Sequence, residues 1–152
     1  MNPADNPWHG LVRAHVGDNG EPALDVFEGH WDLVALDHSA DETVDYVAHV
    51  MIHWLDRGAA GWRLDAAYAV PSPFWARVFP QVKAAHPYPW IFGEVIHGDY
   101  PRIIEESTMD SITQYELWKS IQHALETENF FELDWNLKRH NAFLDSFVPQ
   151  TF

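Results

Sequence analysis

The sequence predicts an α/β fold with parallel strands, and two observations carry this prediction. Segments with the apolar spacing of helices alternate with short apolar segments along residues 37–152. The short segments are rich in Ile, Leu, Val and aromatic residues and are too brief for helices, as is typical of buried strands. Strands that alternate with helices indicate βαβ units, whose parallel sheets are covered on both faces.

The first predicted helix follows a segment, residues 1–36, that is rich in Pro, Gly, Asn and Asp and is expected to be irregular. Ser39 is followed three residues later by Glu42, which is the spacing of a capping box. Apolar residues then recur at helical spacing, and Gly58 is a typical helix end. These apolar residues are Val44, Val47, Met51, Trp54 and Leu55.

A strand over 61–66 comes next, and Ser72-Pro73 has the residue types of a helix N-cap and first helical position. Pro80 is expected to kink this second helix, and His86-Pro87 to end it. The remaining predicted elements are a strand over 90–95, a short helix over 101–106, a weaker strand over 109–115, and helices over 116–127 and within 132–147, before Pro149.

The composition excludes several classes of partner. Lys and Arg total 9 against 23 Asp and Glu, so the net charge of −14 would repel nucleic acid and anionic membranes. There is no cysteine, which excludes disulfides and thiolate metal sites. The N-terminus shows no signal peptide and no apolar stretch is long enough to span a membrane, so we expect a cytoplasmic location.

The strand over 61–66 carries a cation and an acid on one face, because Arg63 and Asp65 are two residues apart. A strand with one solvated face carries such residues routinely. If both faces of the sheet are covered, this pair lies inside and has been retained for chemistry. The alternation of elements favours the second interpretation.

Two acids follow consecutive strands, and active sites of α/β folds lie beyond such strand ends. Asp65 and Glu94 would meet at one edge, and two facing carboxylates are what glycoside hydrolysis requires. Arg63 would keep Asp65 ionised, while the apolar neighbours Phe92 and Val95 would raise the pKa of Glu94, as an acid catalyst needs. Structural ion pairs also occur at strand ends, so this reading needs support from the motifs themselves.

The segment Gly61-Trp62-Arg63-Leu64-Asp65 resembles the G-aromatic-R-x-D motif of the α-amylase family, glycoside hydrolase family 13. Gly93-Glu94-Val95 resembles the GE motif on that family's following strand, and VDYVAHVMIHWLDRG resembles the helix before the fourth barrel strand. The resemblance runs over most of residues 30–152. It implies that Asp65 is the nucleophile, Glu94 the general acid/base and Arg63 the partner of the nucleophile, in retaining cleavage or transfer at an α-glucosidic bond.

The resemblance implies a partial TIM-type (β/α) barrel of about three parallel strands with flanking helices, since the full barrel has eight. Residues 37–152 would be this partial catalytic barrel, and residues 1–36 a remnant of the preceding barrel or of a second domain. The family's Asn-His motif and its NHD motif have no match here. Two hypotheses follow: an α-glucan-active glycosidase that is incomplete as this chain, or a non-catalytic, truncated or sugar-binding remnant.

Other residues near the predicted edge are candidates for contact with an α-glucan or oligosaccharide. Tyr68 and Tyr100 are candidates for stacking on sugar, and His97 for lining the site. No cofactor or metal is expected: calcium is conceivable in the parent protein, but that family's ligands lie largely in parts without a match here. Three strands would leave two open sheet edges, so we expect the isolated chain to self-associate.

Overall fold

The computed structural model describes residues 8–147, which fall into two compact units, residues 8–59 with 77–88 and residues 60–76 with 89–147. Short 3-10 turns lie at His9–Leu11 and Ala67–Ala69. The strands and helices, in chain order, are β1 (Ala14–Val16), β2 (Pro22–Leu24), β3 (Val26–Phe27), β4 (His30–Val34), α1 (Asp41–Leu55), β5 (Gly61–Leu64), α2 (Ser72–Ala85), β6 (Trp90–Gly93), α3 (Tyr100–Ser107), β7 (Ser111–Ile112), α4 (Tyr115–Thr127) and α5 (Phe131–Phe147).

The first unit begins with two small antiparallel pairs, β1 with β2 and β3 with β4. Glu28 and Gly29 join β3 to β4 with φ angles of 49° and 79°, the left-handed conformation that tight hairpin loops adopt. The expectation that residues 1–36 are irregular is therefore wrong for the part that the structure describes. Strands of two to five residues with mostly exposed side chains are too short to show a sustained apolar period.

The predicted first helix is confirmed as α1, but its start differs from the prediction. The Ser39 backbone N–H and hydroxyl both donate to Asp37 Oδ1, at 2.9 and 2.6 Å, so Ser39 belongs to a turn and caps no helix. Ala40 is the N-cap and makes no side-chain capping bond, so the capping box with Glu42 does not form. Gly58 has a φ of 97°, consistent with the predicted helix end.

Helix α1 lies beside the second half of α2. Gln81 Nε2 donates to Asp45 Oδ1 at 2.8 Å, and His86 Nε2 lies 2.8 Å from Asp56 Oδ1. Helix α2 continues through Pro80 as a single helix. The apolar side chains buried in this unit include Val44, Ala48, Met51 and Leu55 of α1 and Val78, Phe79 and Val82 of α2.

The second unit contains the predicted parallel sheet, with β6 between β5 and β7. Two glycines let its strands and loops approach closely. A Cβ on Gly61 would overlap the Trp90 carbonyl, and one on Gly93 would lie 2.6 Å from Met109 Sδ. The two glycines lie in the predicted strands over 61–66 and 90–95. Each is required there because a larger residue would overlap its neighbour.

The core of this unit lies around the sheet, with Leu64, Ile91, Val95, Met109 and Ile112 buried. Helices α3, α4 and α5 follow β6 and β7 along the chain. An ion pair joins α4 to α5, with Arg139 Nη1 2.8 Å from Glu116 Oε2. Nowhere in residues 8–147 does a helix combine the length and apolarity needed to cross a membrane.

Candidate active site

The two predicted carboxylates follow adjacent strands that end level with each other. Leu64, the last residue of β5, pairs in register with Gly93, the last residue of β6. Asp65 and Glu94 are the next residues on each strand, and the Glu94 N–H donates to the Leu64 carbonyl at 2.8 Å. The backbone pairing therefore delivers both acids to one edge of the sheet.

Arg63 joins the two carboxylates through the two arms of one guanidinium. Its Nη1 donates to Asp65 Oδ1 at 2.5 Å, and its Nη2 lies 2.9 Å from Glu94 Oε1. The hydrogen bond to Asp65, and then the negative charges of Glu94 and Asp65, raise the pKa of Arg63. The structure thus brings together the three residues that the sequence singled out, and their catalytic roles stay a prediction.

Glu94 lies in a polar setting that the sequence did not reveal. The Tyr115 hydroxyl donates to Oε1 at 2.7 Å and the Ala66 N–H donates to Oε2 at 3.1 Å. These bonds, Tyr115 first, and the Arg63 charge hold the pKa of Glu94 below its ordinary value. The expectation that apolar neighbours raise this pKa is wrong, because donors surround the carboxylate.

The face that carries Arg63 and Asp65 is open. The Arg63 and Asp65 side chains are 45% and 79% exposed, whereas that of Glu94 is 16% exposed. The expectation that this face lies inside is therefore wrong for the described residues. The physical reason is that Asp65 lies just beyond the end of β5, and β5 pairs with β6 alone among the described strands.

Tyr68 and His97 lie at the same edge as Glu94. The Tyr68 N–H donates to the Glu94 carbonyl at 3.3 Å, and the Tyr68 and His97 rings are 6.3 Å apart at 41°. Tyr68 is half-buried and His97 is exposed. Their contact with sugar stays a prediction.

Tyr100 does not face this edge, so its expected stacking on sugar is wrong for this structure. Its side chain is fully buried, its ring lies 5.5 Å from that of Phe143, and its hydroxyl donates to the Ile96 carbonyl at 3.3 Å. Burial raises its pKa. The cause is local: Asp99 caps α3, and Tyr100 is the first residue of that helix and turns inward.

Sequence reasoning missed Tyr115 and the Ala66 N–H. Tyr115 starts α4 shortly after β7, so the rule that places strand ends at one edge also applies to it. Its ring lies 6.2 Å from that of Trp118, nearly perpendicular. A depression of about 310 Å³ lies here, lined by Thr113, Gln114, Tyr115 and Trp118.

Comparison with known proteins finds relatives of one kind. No family model matches the chain. The chain is 28% identical over 110 residues to a cyclomaltodextrinase from Thermoanaerobacter pseudethanolicus, covering 71% of the chain and 19% of the relative. It is 29% identical over 112 residues to an alpha-amylase from Thermomonospora curvata, covering 68% and 18% respectively. These relatives are members of the α-amylase family, glycoside hydrolase family 13, and this chain is similar to a fragment of their catalytic domain.

A solved structure shows the same fold as this chain. The ligand-free cyclic α-maltosyl-(1→6)-maltose hydrolase from Arthrobacter globiformis superposes with a TM-score of 0.67 at 22% identity, over 80% of this chain and 28% of that one. The curated relatives are amylolytic glycoside hydrolases, and the chain spans less than a fifth of the length of the two described above. The matched segment lies within the catalytic domain.

Proposed function

We propose that this chain is part of the catalytic (β/α)8 barrel of a retaining glycoside hydrolase that acts on α-glucans. The observation that carries the proposal is the Arg63 guanidinium, which holds Asp65 and Glu94 together at adjacent strand ends. Retaining glycosidases place their two carboxyl groups about 5–5.5 Å apart. The relatives' names, cyclomaltodextrinase and alpha-amylase, support an α-glucosidic oligosaccharide as the substrate.

In this proposal the two acids divide the chemistry. Ionised Asp65, exposed and paired with Arg63, attacks the anomeric carbon while Glu94 gives its proton to the departing glycosidic oxygen. A covalent glycosyl–Asp65 intermediate results. Glu94, now ionised, removes a proton from water or from an acceptor sugar, whose oxygen then displaces Asp65 and restores both acids. Tyr68 and His97 would contact the sugar beside them.

We further propose that the chain alone lacks much of the machinery. Rate acceleration comes from contacts that strengthen in the transition state. The described sheet has three strands, whereas the whole barrel has eight. The isolated chain should therefore hydrolyse maltooligosaccharides no faster than buffer does. The alternative, a sugar-binding remnant, draws on the small share of the relatives that the chain spans.

Two measurements on the purified chain test this proposal. One follows hydrolysis of maltooligosaccharides and of a nitrophenyl α-glucoside by the wild type, Asp65→Asn and Glu94→Gln. The other follows backbone NMR shifts at Arg63, Asp65 and Glu94 during titration with maltotriose. Asp25→Asn serves as the control, because it removes a carboxylate from the first unit and leaves this edge intact.

The outcomes test whether the site binds sugar and whether the chain is active alone. Saturable shifts at the site without turnover are expected and agree with a site that is present but incomplete. Turnover that disappears in Asp65→Asn and persists in Asp25→Asn would show that the chain is a working enzyme, against the proposed incompleteness. A chain that neither binds maltotriose at this edge nor turns it over would contradict the assignment of the site.

A further inference from the structure

Glu94 has partners of two kinds. The Ala66 N–H and the Arg63 guanidinium can only donate hydrogen bonds. The Tyr115 hydroxyl, 2.7 Å from Oε1, can donate or accept. Among the described groups that hydrogen-bond to the Glu94 carboxylate, Tyr115 thus combines both abilities, and its ring lies 6.2 Å from that of Trp118.

This difference becomes important when Glu94 takes up a proton, as the proposed function requires in each cycle. A carboxylic acid has one O–H, which needs an acceptor when it is shielded from water, and the Glu94 side chain is only 16% exposed. Oε2 faces the Ala66 N–H, which cannot accept. Oε1 faces Arg63, which cannot accept, and Tyr115, which can. The Asp65 carboxylate also interacts with Glu94 and can accept, but it is bonded to Arg63 and cannot donate. Tyr115 is therefore the neighbour able to do both.

We propose that Tyr115 is a positioning residue that stays bonded to Glu94 in both protonation states, donating to the carboxylate and accepting from the carboxylic acid. The exchange requires only rotation of the phenolic O–H, with no movement of the ring. Tyr115 would hold Oε1 in place while the proton arrives and leaves. This inference rests on the proposed function, because only a general acid/base must visit both states.

The surroundings of Glu94 are consistent with this role. The charged and titratable groups that face it are Arg63 and Asp65 at the end of β5 and Tyr115 on α4. Donation to the Glu94 carboxylate raises the pKa of Tyr115, so its hydroxyl keeps its proton across the range in which Glu94 titrates. The hydroxyl is therefore available as donor and as acceptor throughout.

The experiment is an NMR titration of the Glu94 carboxyl carbon in the isotopically labelled chain, assigned with Glu94→Gln. In Tyr115→Phe the carboxylate loses its nearest neutral donor, so the pKa of Glu94 should rise. Tyr88→Phe is the matched control, since it removes a hydroxyl from a side chain that is 96% exposed, and it should leave the Glu94 titration unchanged.

Fluorotyrosine at position 115 provides a second variant that keeps the shape of the ring. Fluorine makes the phenol a stronger donor and a weaker acceptor, so the pKa of Glu94 should fall, opposite to Tyr115→Phe. A residue that merely supports the fold would not move the pKa in two directions. Equal Glu94 titrations in the wild type, Tyr115→Phe and the fluorinated chain would overturn the proposal.

These titrations need no substrate, so they stand apart from the proposed function. A chain without turnover or sugar binding in which Tyr115 still moves the Glu94 pKa would refute only the glycosidase assignment. Turnover that depends on Asp65 but whose pH profile is identical in Tyr115→Phe would refute only the role of Tyr115.

Discussion

Two charged clusters in this molecule use the same kinds of residue in opposite proportions. On the β1–β2 hairpin, one acid lies between two basic groups: Arg13 Nε donates to Asp25 Oδ2, and His15 Nδ1 lies 2.5 Å from Asp25 Oδ1. On the β5–β6 edge, one cation lies between two acids, Asp65 and Glu94. The hairpin is exposed, whereas the parallel sheet has a buried core.

The difference separates a structural pair from a candidate site. The Asp25 carboxylate has both oxygens engaged and carries no surplus negative charge, and exposed pairs of this kind contribute little to stability. At the sheet edge one guanidinium serves two carboxylates, so one negative charge is unbalanced and Asp65 is 79% exposed. Unbalanced charge on a well-packed support is a feature that marks candidate functional sites.

The largest expected effect concerns association of the sheet unit. β5 and β7 are outer strands of the described sheet, and α4 and α5 expose large apolar side chains: Trp118, Leu125, Phe131 and Trp135. A few hundred Å² of apolar surface at ~25 cal/mol/Å² amounts to several kcal/mol, enough to drive pairing. Sedimentation at micromolar concentration should show dimers or larger species, favoured by salt because screening weakens the repulsion of −14 charges.

Two substitutions locate the associating surface. Trp135→Gln, on α5, should weaken association, while Trp31→Gln, on the β4 strand and 87% exposed, should leave it unchanged. A cooperative melt from a monomer that binds no hydrophobic dye would contradict the prediction and show that the sheet unit is complete without a partner.

A smaller effect on the free energy of unfolding should come from truncating an apolar side chain in the strand next to each cluster. Ile91 on β6 is fully buried, so Ile91→Ala should destabilise the chain by about 2–5 kcal/mol in urea unfolding. Val16 on β1 is 76% exposed, and Val16→Ala should change stability by less than about 0.5 kcal/mol. Equal effects would show that the hairpin is as firmly supported as the sheet.

Acid should affect the two clusters in different pH ranges. The pKa of Glu94 lies below its ordinary value of 4.5, mainly because of Tyr115, and that of Asp25 below 3.8, mainly because of Arg13. Each carboxylate therefore contributes stability that is complete above its ordinary pKa and is lost as the pH falls through the folded value. Urea midpoints should fall on acidification in both ranges.

The matched variants separate the two contributions. Glu94→Gln should flatten the decline that begins near 4.5, and Asp25→Asn the decline that begins near 3.8. An acid profile unchanged in Glu94→Gln would mean that Glu94 is not held ionised by its neighbours. The ordinary pKa of each acid, which applies in the unfolded chain, sets the upper end of the pH range over which stability falls.

Much of the sheet unit could be predicted because its signals are local. Alternating strand and helix patterns indicate a parallel sheet, and strand ends of such a sheet meet at one edge. That reasoning predicts that Arg63, Asp65 and Glu94 lie together at one edge, and the structure brings them together. In the sequence, Gly61 and Gly93 are recognised only as members of the two motifs. The structure shows that both positions also need glycine because a Cβ there would overlap a neighbouring residue.

The rest depended on contacts between residues distant in sequence. The chain neighbours Phe92 and Val95 predict a raised pKa for Glu94, whereas the hydrogen bond from Tyr115, which follows another strand, is the largest cause of a lowered one. The position of Tyr100 after β6 predicts that it lies at the edge, but as the first residue of α3 it is buried in the core. The spacing of apolar residues does not predict which way the first side chain of a helix points.

The smallest expected effect concerns two backbone positions with left-handed φ angles. Ala66, after Asp65, has a φ of 44°, and Glu28, in the β3–β4 loop, has a φ of 49°. This conformation costs a residue with a Cβ about 1–2 kcal/mol, and glycine avoids that cost but loses more entropy on folding. Ala66→Gly and Glu28→Gly should therefore each raise stability by no more than about 1 kcal/mol.

The two positions differ in what the conformation does. At Glu28 it closes a hairpin, so relief of strain should be the whole effect. At Ala66 it directs the N–H toward Glu94 Oε2 at 3.1 Å, and a more flexible glycine would hold that donor less firmly. We therefore expect the pKa of Glu94 to rise in Ala66→Gly and to stay unchanged in Glu28→Gly, as read by carboxyl NMR. If stability changes alike in both and the Glu94 titration moves in neither, the strain at Ala66 belongs to the turn alone, and the candidate site does not depend on it.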